Sequence, residues 1–156
     1  MSPDTPAAAR SGMLRLLWLL WALRLLTAAA LAIDAYVHAD LAPTYDAVGT
    51  HISQGALFRI EAGLSALAAL LILVRAIRTV WALCALVLAS GLAALLLYRD
   101  VDVGTLGPLP NMYEPAWFPE KTAAAIAEAA GLLTALAGLL ILAFRTPPRR
   151  SRSAHD

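Results

Sequence analysis

Four apolar segments, each about 20 residues or longer, occupy most of this 156-residue chain. At a rise of about 1.5 Å per residue, an α-helix of that length crosses the roughly 30 Å hydrocarbon core of a bilayer. Backbone groups in lipid must be hydrogen-bonded within the chain, and the segments lack the polar alternation of a membrane β-barrel. The sequence therefore predicts an all-α fold, an integral membrane four-helix bundle with spans at about 13–38, 55–74, 79–98 and 122–144.

The composition excludes an ordinary soluble domain. Hydrophobic residues make up 60% of the chain and charged residues only 15%, whereas soluble domains are about one quarter charged. Little sequence remains outside the spans, so residues 1–12 and the basic tail 146–156 are predicted to be disordered. Cys84 is the only cysteine, which excludes an internal disulfide and a Cys-x-x-Cys redox pair.

Arginines collect at one set of span ends, and the positive-inside rule assigns those ends to the cytoplasm. Both termini are then cytoplasmic, and the outer loops are 39–54 and 99–121. Eleven arginines accompany a single lysine in a chain rich in alanine and leucine, which is typical of a high-GC bacterium. We therefore predict a multi-pass protein of the bacterial cytoplasmic membrane. The arginines concerned are Arg10, Arg15, Arg75, Arg78, Arg145, Arg149, Arg150 and Arg152.

The first span also has features of a cleavable signal peptide. Basic residues precede an apolar stretch, and the small residues Ala28, Ala30 and Ala32 follow it. Arg24 interrupts what would be the uncharged core, and the apolar helix continues to Val37. A retained span is favoured, and cleavage would leave three spans in the same orientation.

Ionisable residues inside the predicted spans are the first candidates for a functional site, because a charge exposed to lipid is costly. Arg24 falls near the middle of the first span and is predicted to be a buried charge that faces the bundle. Asp34 and His38 lie on the same helical face, one turn apart. Helical phase predicts that these side chains meet residues of the second and fourth helices in the outward half of the bundle. The predicted outward cluster is Asp34, His38, Arg59, Glu61 and Glu128.

Three interpretations of this cluster are open. In the first, the cluster is a closed ion-pair network in which Arg24 and Arg59 neutralise Asp34 and Glu61. In the second it is a pocket for a ligand or cofactor, and in the third it is a path for protons or ions. His38 and His51 are weak candidates for metal or haem ligation, since their spacing matches no metal or haem motif. We therefore expect neither a metal nor another cofactor.

The outer segment 107–120 combines four prolines with aromatic residues, which is unlike a flexible polar linker. One interpretation is an ordered loop that contributes to the aromatic belt at the membrane interface. The other is a lid over the cluster or a contact surface for a partner. The residues concerned are Tyr113, Glu114, Trp117 and Phe118.

The four-span layout, with the acid and glycine of Glu61-Ala62-Gly63 near the outer end of the second span, resembles the DoxX-like group of small membrane proteins. The resemblance implies a four-helix bundle and little about mechanism. The proline-rich aromatic loop departs from the short loops of such a bundle.

No nucleotide-binding loop, nucleophile triad or metalloprotease motif is present, so no catalytic residue is predicted. The favoured function is a non-enzymatic accessory or binding subunit that uses the outward cluster and the aromatic loop. One alternative is a redox-associated protein that binds quinone, haem or metal near His38, and the second is a small proton-coupled transporter. Expected partners are the lipid bilayer and a membrane protein or a second copy of the chain, with no role for nucleic acid.

Overall fold

The computed structural model describes residues 6–49 and 51–145, and over these ranges its fold is all-helical, with no strands. Its four long helices are α1 (Pro6–Leu41), α2 (Gln54–Val74), α3 (Arg78–Asp100) and α4 (Pro119–Phe144). A short 3-10 helix, Ala42–Tyr45, follows α1 directly. Each long helix is long and apolar enough to cross a membrane, in agreement with the four predicted spans.

The helix ends follow local sequence signals. The Ser53 hydroxyl accepts a hydrogen bond from the Ala56 amide at 3.0 Å and caps α2. Pro119 opens α4, where its missing N–H costs nothing, and Glu120 follows in the first turn. The connection between α2 and α3 has only three residues, 75–77, and Arg75 and Ile77 within it adopt extended backbone conformations that end α2 and precede α3.

The helices are arranged around the bundle in the order α2, α1, α4, α3. Helix α1 packs along both α2 and α4, and α3 packs along α4, whereas contact between α2 and α3 is much less extensive. We call the end that carries the 75–77 connection the turn end, and the opposite end, which carries segments 42–53 and 101–118, the loop end. The poorly packed boundary between α2 and α3 is called the seam.

The half of the bundle nearer the turn end contains most of a close-packed apolar core. Trp81 is 1% exposed there, and its ring occupies the space where Gly138 has no side chain. A Cβ at Gly131 would likewise collide with Ala30 and Leu88. Small residues therefore allow α4 to approach its neighbours closely. The core includes Ala28, Leu31, Ala68, Ile72, Trp81, Cys84, Leu88 and Ala135.

Helix α1 extends past the other three helices at the turn end. No residue from Arg10 to Leu26 is buried, and burial in this helix begins at Thr27. The helix starts at Pro6, so residues 6–12 are helical where the sequence predicted a disordered segment. Proline at a helix start and the following alanines favour this outcome. Residues 1–5 and 146–156 lie outside the described ranges.

This extension changes the position of Arg24. The sequence predicted a buried charge near mid-span, but Arg24 is only partly buried and lies beside the carboxyl end of α2. Its Nε donates to the Ile72 carbonyl at 2.6 Å, and its guanidinium also donates to the carbonyl of Leu73. Arg24 therefore satisfies carbonyl groups that the end of α2 leaves without helical partners.

Candidate functional site

A buried polar cluster occupies the middle of the bundle, and Asp34 of α1 is central to it. Asp34 is 0% exposed, and its Oδ2 accepts a hydrogen bond from the Ser65 hydroxyl at 2.6 Å. His38 Nδ1 lies 3.0 Å from both the main-chain oxygen and Oδ1 of Asp34. Since Nδ1 carries at most one hydrogen, it does not satisfy both oxygens, and Oδ1 has no hydrogen bond of good geometry.

Glu128 of α4 completes the cluster from the other side. It is 0% exposed, and neither carboxylate oxygen has a hydrogen-bond partner. Its carboxyl group lies against Gly91 of α3, where a Cβ would be 3.1 Å from Glu128 Cδ and 3.5 Å from Glu61 Oε1. Glu61 of α2 therefore approaches Gly91 as well, and its Oε1 is buried without a partner.

The structure thus brings Asp34, His38, Glu61 and Glu128 together, as helical phase predicted. Ser65 and Gly91 lie near the midpoints of their helices, which places the cluster at the centre of the bundle rather than wholly in its outer half. The ligand atoms of Asp34, His38 and Glu128 all lie within 4.8 Å of one another. An aspartate, an imidazole and a glutamate from two helices therefore converge on one small volume.

The arginines expected to neutralise this cluster lie elsewhere. Arg24 binds backbone carbonyl groups at the turn end. Arg59 forms a bidentate pair with Asp46 at 2.5 and 2.8 Å on the protein surface. Hydrogen bonds from Arg59 hold the pKa of the Asp46 carboxyl below its ordinary value. Within residues 6–49 and 51–145, no lysine or arginine forms an ion pair with Asp34, Glu61 or Glu128.

A cavity of about 360 Å³ lies between the cluster and the loop end. His38 and Glu61 form part of its wall, whereas most of the remaining lining is apolar. Ile60, Ser90 and Ala94 line the cavity and are also exposed, so it opens to the surface of the bundle along the seam. The apolar lining includes Val37, Leu41, Leu57, Phe58 and Leu95.

The aromatic loop covers the loop end of this cavity, but only part of it faces inward. Glu114 and Phe118 line the cavity, while Tyr113 and Trp117 are 41% and 50% exposed and do not. The Glu114 amide donates to the Tyr98 carbonyl at 3.0 Å, which fixes the loop to the end of α3. The four predicted loop residues therefore separate into a pair on the cavity wall and a pair on the surface.

Lys121 fixes the same loop to α4 and was not predicted as a site residue. Its ammonium group donates to the carbonyl of Glu114 and, at 3.1 Å, to that of Ala116. The side chain is 9% exposed and lines the cavity. Lys121, Ala124, Glu128 and Gly131 recur at helical spacing, so phase alone could have placed Lys121 on the face of Glu128.

His51, the second histidine considered for metal binding, is not part of the cluster. It is exposed in a separate cleft between the two loop-end segments, which also includes Val48, Pro108 and Asn111. Of the two histidines, only His38 lies with buried carboxylates.

Comparison with known proteins gives no independent guide to this site. No protein-family model matches the sequence, and neither the curated proteins nor the solved structures include a similar one. The DoxX-like resemblance therefore stays a prediction from the residues that suggested it.

Proposed function

We propose that this protein is a non-enzymatic, membrane-embedded binding protein that takes up a lipophilic molecule with a polar head group through the seam between α2 and α3. In this proposal both termini face the cytoplasm, and the loop end with its cavity faces outward. Arginines near the turn end and the apolar exposed surface of the helices support that orientation and environment.

The cavity is the observation that carries this proposal. Its volume of about 360 Å³ is within the range of small-molecule sites, and apolar walls with a few polar groups are typical of them. A molecule dissolved in the bilayer would reach it sideways along the seam. The loop held by Lys121 and Tyr98 would separate it from water.

The polar groups on the wall define the preferred head group. Glu61 lines the cavity, and its Oε1 is buried without a hydrogen-bond partner. A hydroxyl or ammonium head group would supply the missing hydrogen bond, whereas a carboxylate would repel the nearby acids. We therefore expect a long-chain alcohol or amine to be accepted and a fatty acid of equal length to be rejected.

Photoreactive probes test this selectivity. Two alkyl diazirines of the same chain length, one with an amine and one with a carboxylate head, are incubated with the protein in lipid nanodiscs and irradiated. Mass spectrometry should locate the amine probe at cavity residues such as Leu57 and Leu95, with at least about fivefold less labelling by the acid probe. Glu61→Gln should abolish this preference.

Glu120→Gln is the matched control, because Glu120 is exposed at the start of α4 and does not line the cavity. It should leave the labelling pattern unchanged. Equal labelling by both probes, or labelling spread over the outer surface of all four helices, would refute the proposed binding site.

A further inference from the structure

We propose that Asp34, His38 and Glu128, with Glu61 beside them, form a binding site for one divalent transition-metal ion such as Zn²⁺ or Mn²⁺. This inference goes beyond the lipophilic ligand of the proposed function: Asp34 and Glu128 do not line the cavity, whereas His38 and Glu61 are part of its wall.

The first argument is charge balance. Three carboxyl groups and one imidazole meet in the centre of an apolar bundle, and the side chains of Arg59 and Lys121 bind other groups. Arg59 pairs with Asp46, and Lys121 donates to backbone carbonyl groups. A buried carboxylate without a partner is costly, and a divalent cation bound by Asp34, Glu128 and a neutral His38 offsets the charge of these two carboxylates, which leaves Glu61 as the one further acid.

The second argument is unused hydrogen-bonding capacity. Both oxygens of Glu128 and Oδ1 of Asp34 are buried without hydrogen bonds. Glu128 is 0% exposed, so solvent does not satisfy it. Buried carboxylates are normally hydrogen-bonded, ion-paired or coordinated to a metal. Among the described residues no N–H or hydroxyl donor and no lysine or arginine reaches Glu128, and its carboxyl group lies beside two further ligand-type side chains.

The third argument is geometry. Ligand atoms around a tetrahedral ion with bonds of 2.0–2.2 Å are roughly 3.4 Å apart. The three candidate atoms already lie within 4.8 Å of one another, so side-chain shifts of about 1 Å would bring them to that spacing. Ser65 donates to the other oxygen of Asp34 at 2.6 Å and would orient this ligand from outside the site.

The donor set also limits the class of ion. One imidazole nitrogen with carboxylate oxygens suits Zn²⁺, Mn²⁺ and Fe²⁺, whereas Mg²⁺ and Ca²⁺ prefer oxygen alone. With thiolate ligands absent from the cluster, soft ions such as Cu⁺ are disfavoured.

Equilibrium metal binding to the full, tag-free chain tests the site. Chelator-treated protein is equilibrated with Zn²⁺, desalted and analysed for metal content and affinity. We expect about one Zn²⁺ per chain, with affinity at least tenfold lower in Asp34→Asn, His38→Gln and Glu128→Gln. His51→Gln is the matched control for His38→Gln and should bind like the wild type. Circular dichroism establishes whether each variant keeps its helices.

A spectroscopic measurement on the wild-type chain does not depend on variant folding. Pulsed electron paramagnetic resonance of the Mn²⁺-loaded protein should show coupling to one coordinated imidazole nitrogen. Absence of that coupling, absence of stoichiometric Zn²⁺, or Zn²⁺ affinity unchanged in all three folded cluster variants would overturn the metal site. Retention of amine-probe labelling by chelator-treated protein would leave the proposed function standing in that event.

Discussion

The two ends of the bundle differ in how closely the same four helices pack. Toward the turn end, Trp81 fills the space beside Gly138, and buried side chains from all four helices are in contact. From the centre of the bundle toward the loop end, α2 and α3 separate around a cavity of about 360 Å³, and buried carboxyl oxygens of Glu61 and Glu128 have no lysine or arginine partner among the described residues. Close apolar packing is therefore concentrated in one part of the bundle, and buried polar atoms without hydrogen bonds in the other.

This division has a physical basis in the residues at the helix contacts. Small residues on α4 permit close approach at the turn end, where dispersion contacts stabilise the bundle without polar groups. The Asp34, Glu61 and Glu128 side chains bring desolvation costs that packing does not offset. A protein that needed only a stable bundle would gain by replacing them with apolar residues, so we interpret the polar cluster and the cavity beside it as the functional region.

The largest expected effect of a single substitution is in the close-packed half. Trp81→Ala removes a side chain that is 1% exposed and leaves a cavity against Gly138. We expect a loss of about 3–5 kcal/mol in the free energy of unfolding, measured by denaturant titration in detergent micelles. Trp18→Ala is the control, because Trp18 is 75% exposed and should change stability by less than about 0.5 kcal/mol. Similar losses for both tryptophans would contradict the proposed division.

An opposite sign of the change in stability is expected at the central polar cluster. Glu128→Gln removes a buried acid and introduces an amide that can donate a hydrogen bond to the neighbouring Asp34 carboxylate. In chelator-treated protein we expect stability equal to the wild type or higher, by up to about 2 kcal/mol. The same denaturant titration measures this change, with Glu120→Gln as the exposed control. Destabilisation by more than about 1 kcal/mol would show that Glu128 stabilises the bundle itself.

The smallest expected effect is a pH response at the surface of the loop end. The pKa of Asp46 is lowered by its hydrogen bonds to Arg59, so the pair stabilises segment 42–53 at neutral pH. That contribution is present above the pKa of the unfolded chain and is lost as pH falls through the lower pKa of the folded protein. Amide exchange in 42–53, corrected for intrinsic rates, should therefore increase below about pH 4.

Asp46→Asn should remove most of this pH dependence and leave the unfolding midpoint of the bundle unchanged. Asp40→Asn, at an exposed site on the last turn of α1, should retain it. An unchanged acid response in Asp46→Asn would assign the effect to another group.

Much of this structure could be predicted from the helical periodicity of the sequence. The four apolar helices agree with the predicted spans, because a run of that length has few alternatives. Phase placed Asp34, Glu61 and Glu128 on faces that do meet, since a helix fixes the direction of every third and fourth side chain. Lys121 was accessible to the same reasoning.

Other features depend on tertiary contacts that a single sequence does not encode locally. Arg59 was expected in the cluster, but its guanidinium group instead donates a hydrogen bond to Asp46, which lies in segment 42–53. Arg24 was expected near mid-span because it lies near the middle of the first predicted span, 13–38. The offset of α1 along its neighbours is set by packing from Thr27 onward, so periodicity does not reveal it.

That offset also has a consequence for hydrophobic mismatch. Helix α2 has 21 residues and is about 31 Å long, which matches a bilayer core, whereas the 36 residues of α1 extend about 54 Å. Containing all of α1 in the core would require a tilt of about 55°, beyond the usual range of 0–40°. In a bilayer that fits α2–α4, the segment of α1 that carries Arg10 and Arg15 therefore leaves the hydrocarbon and reaches the charged lipid head groups.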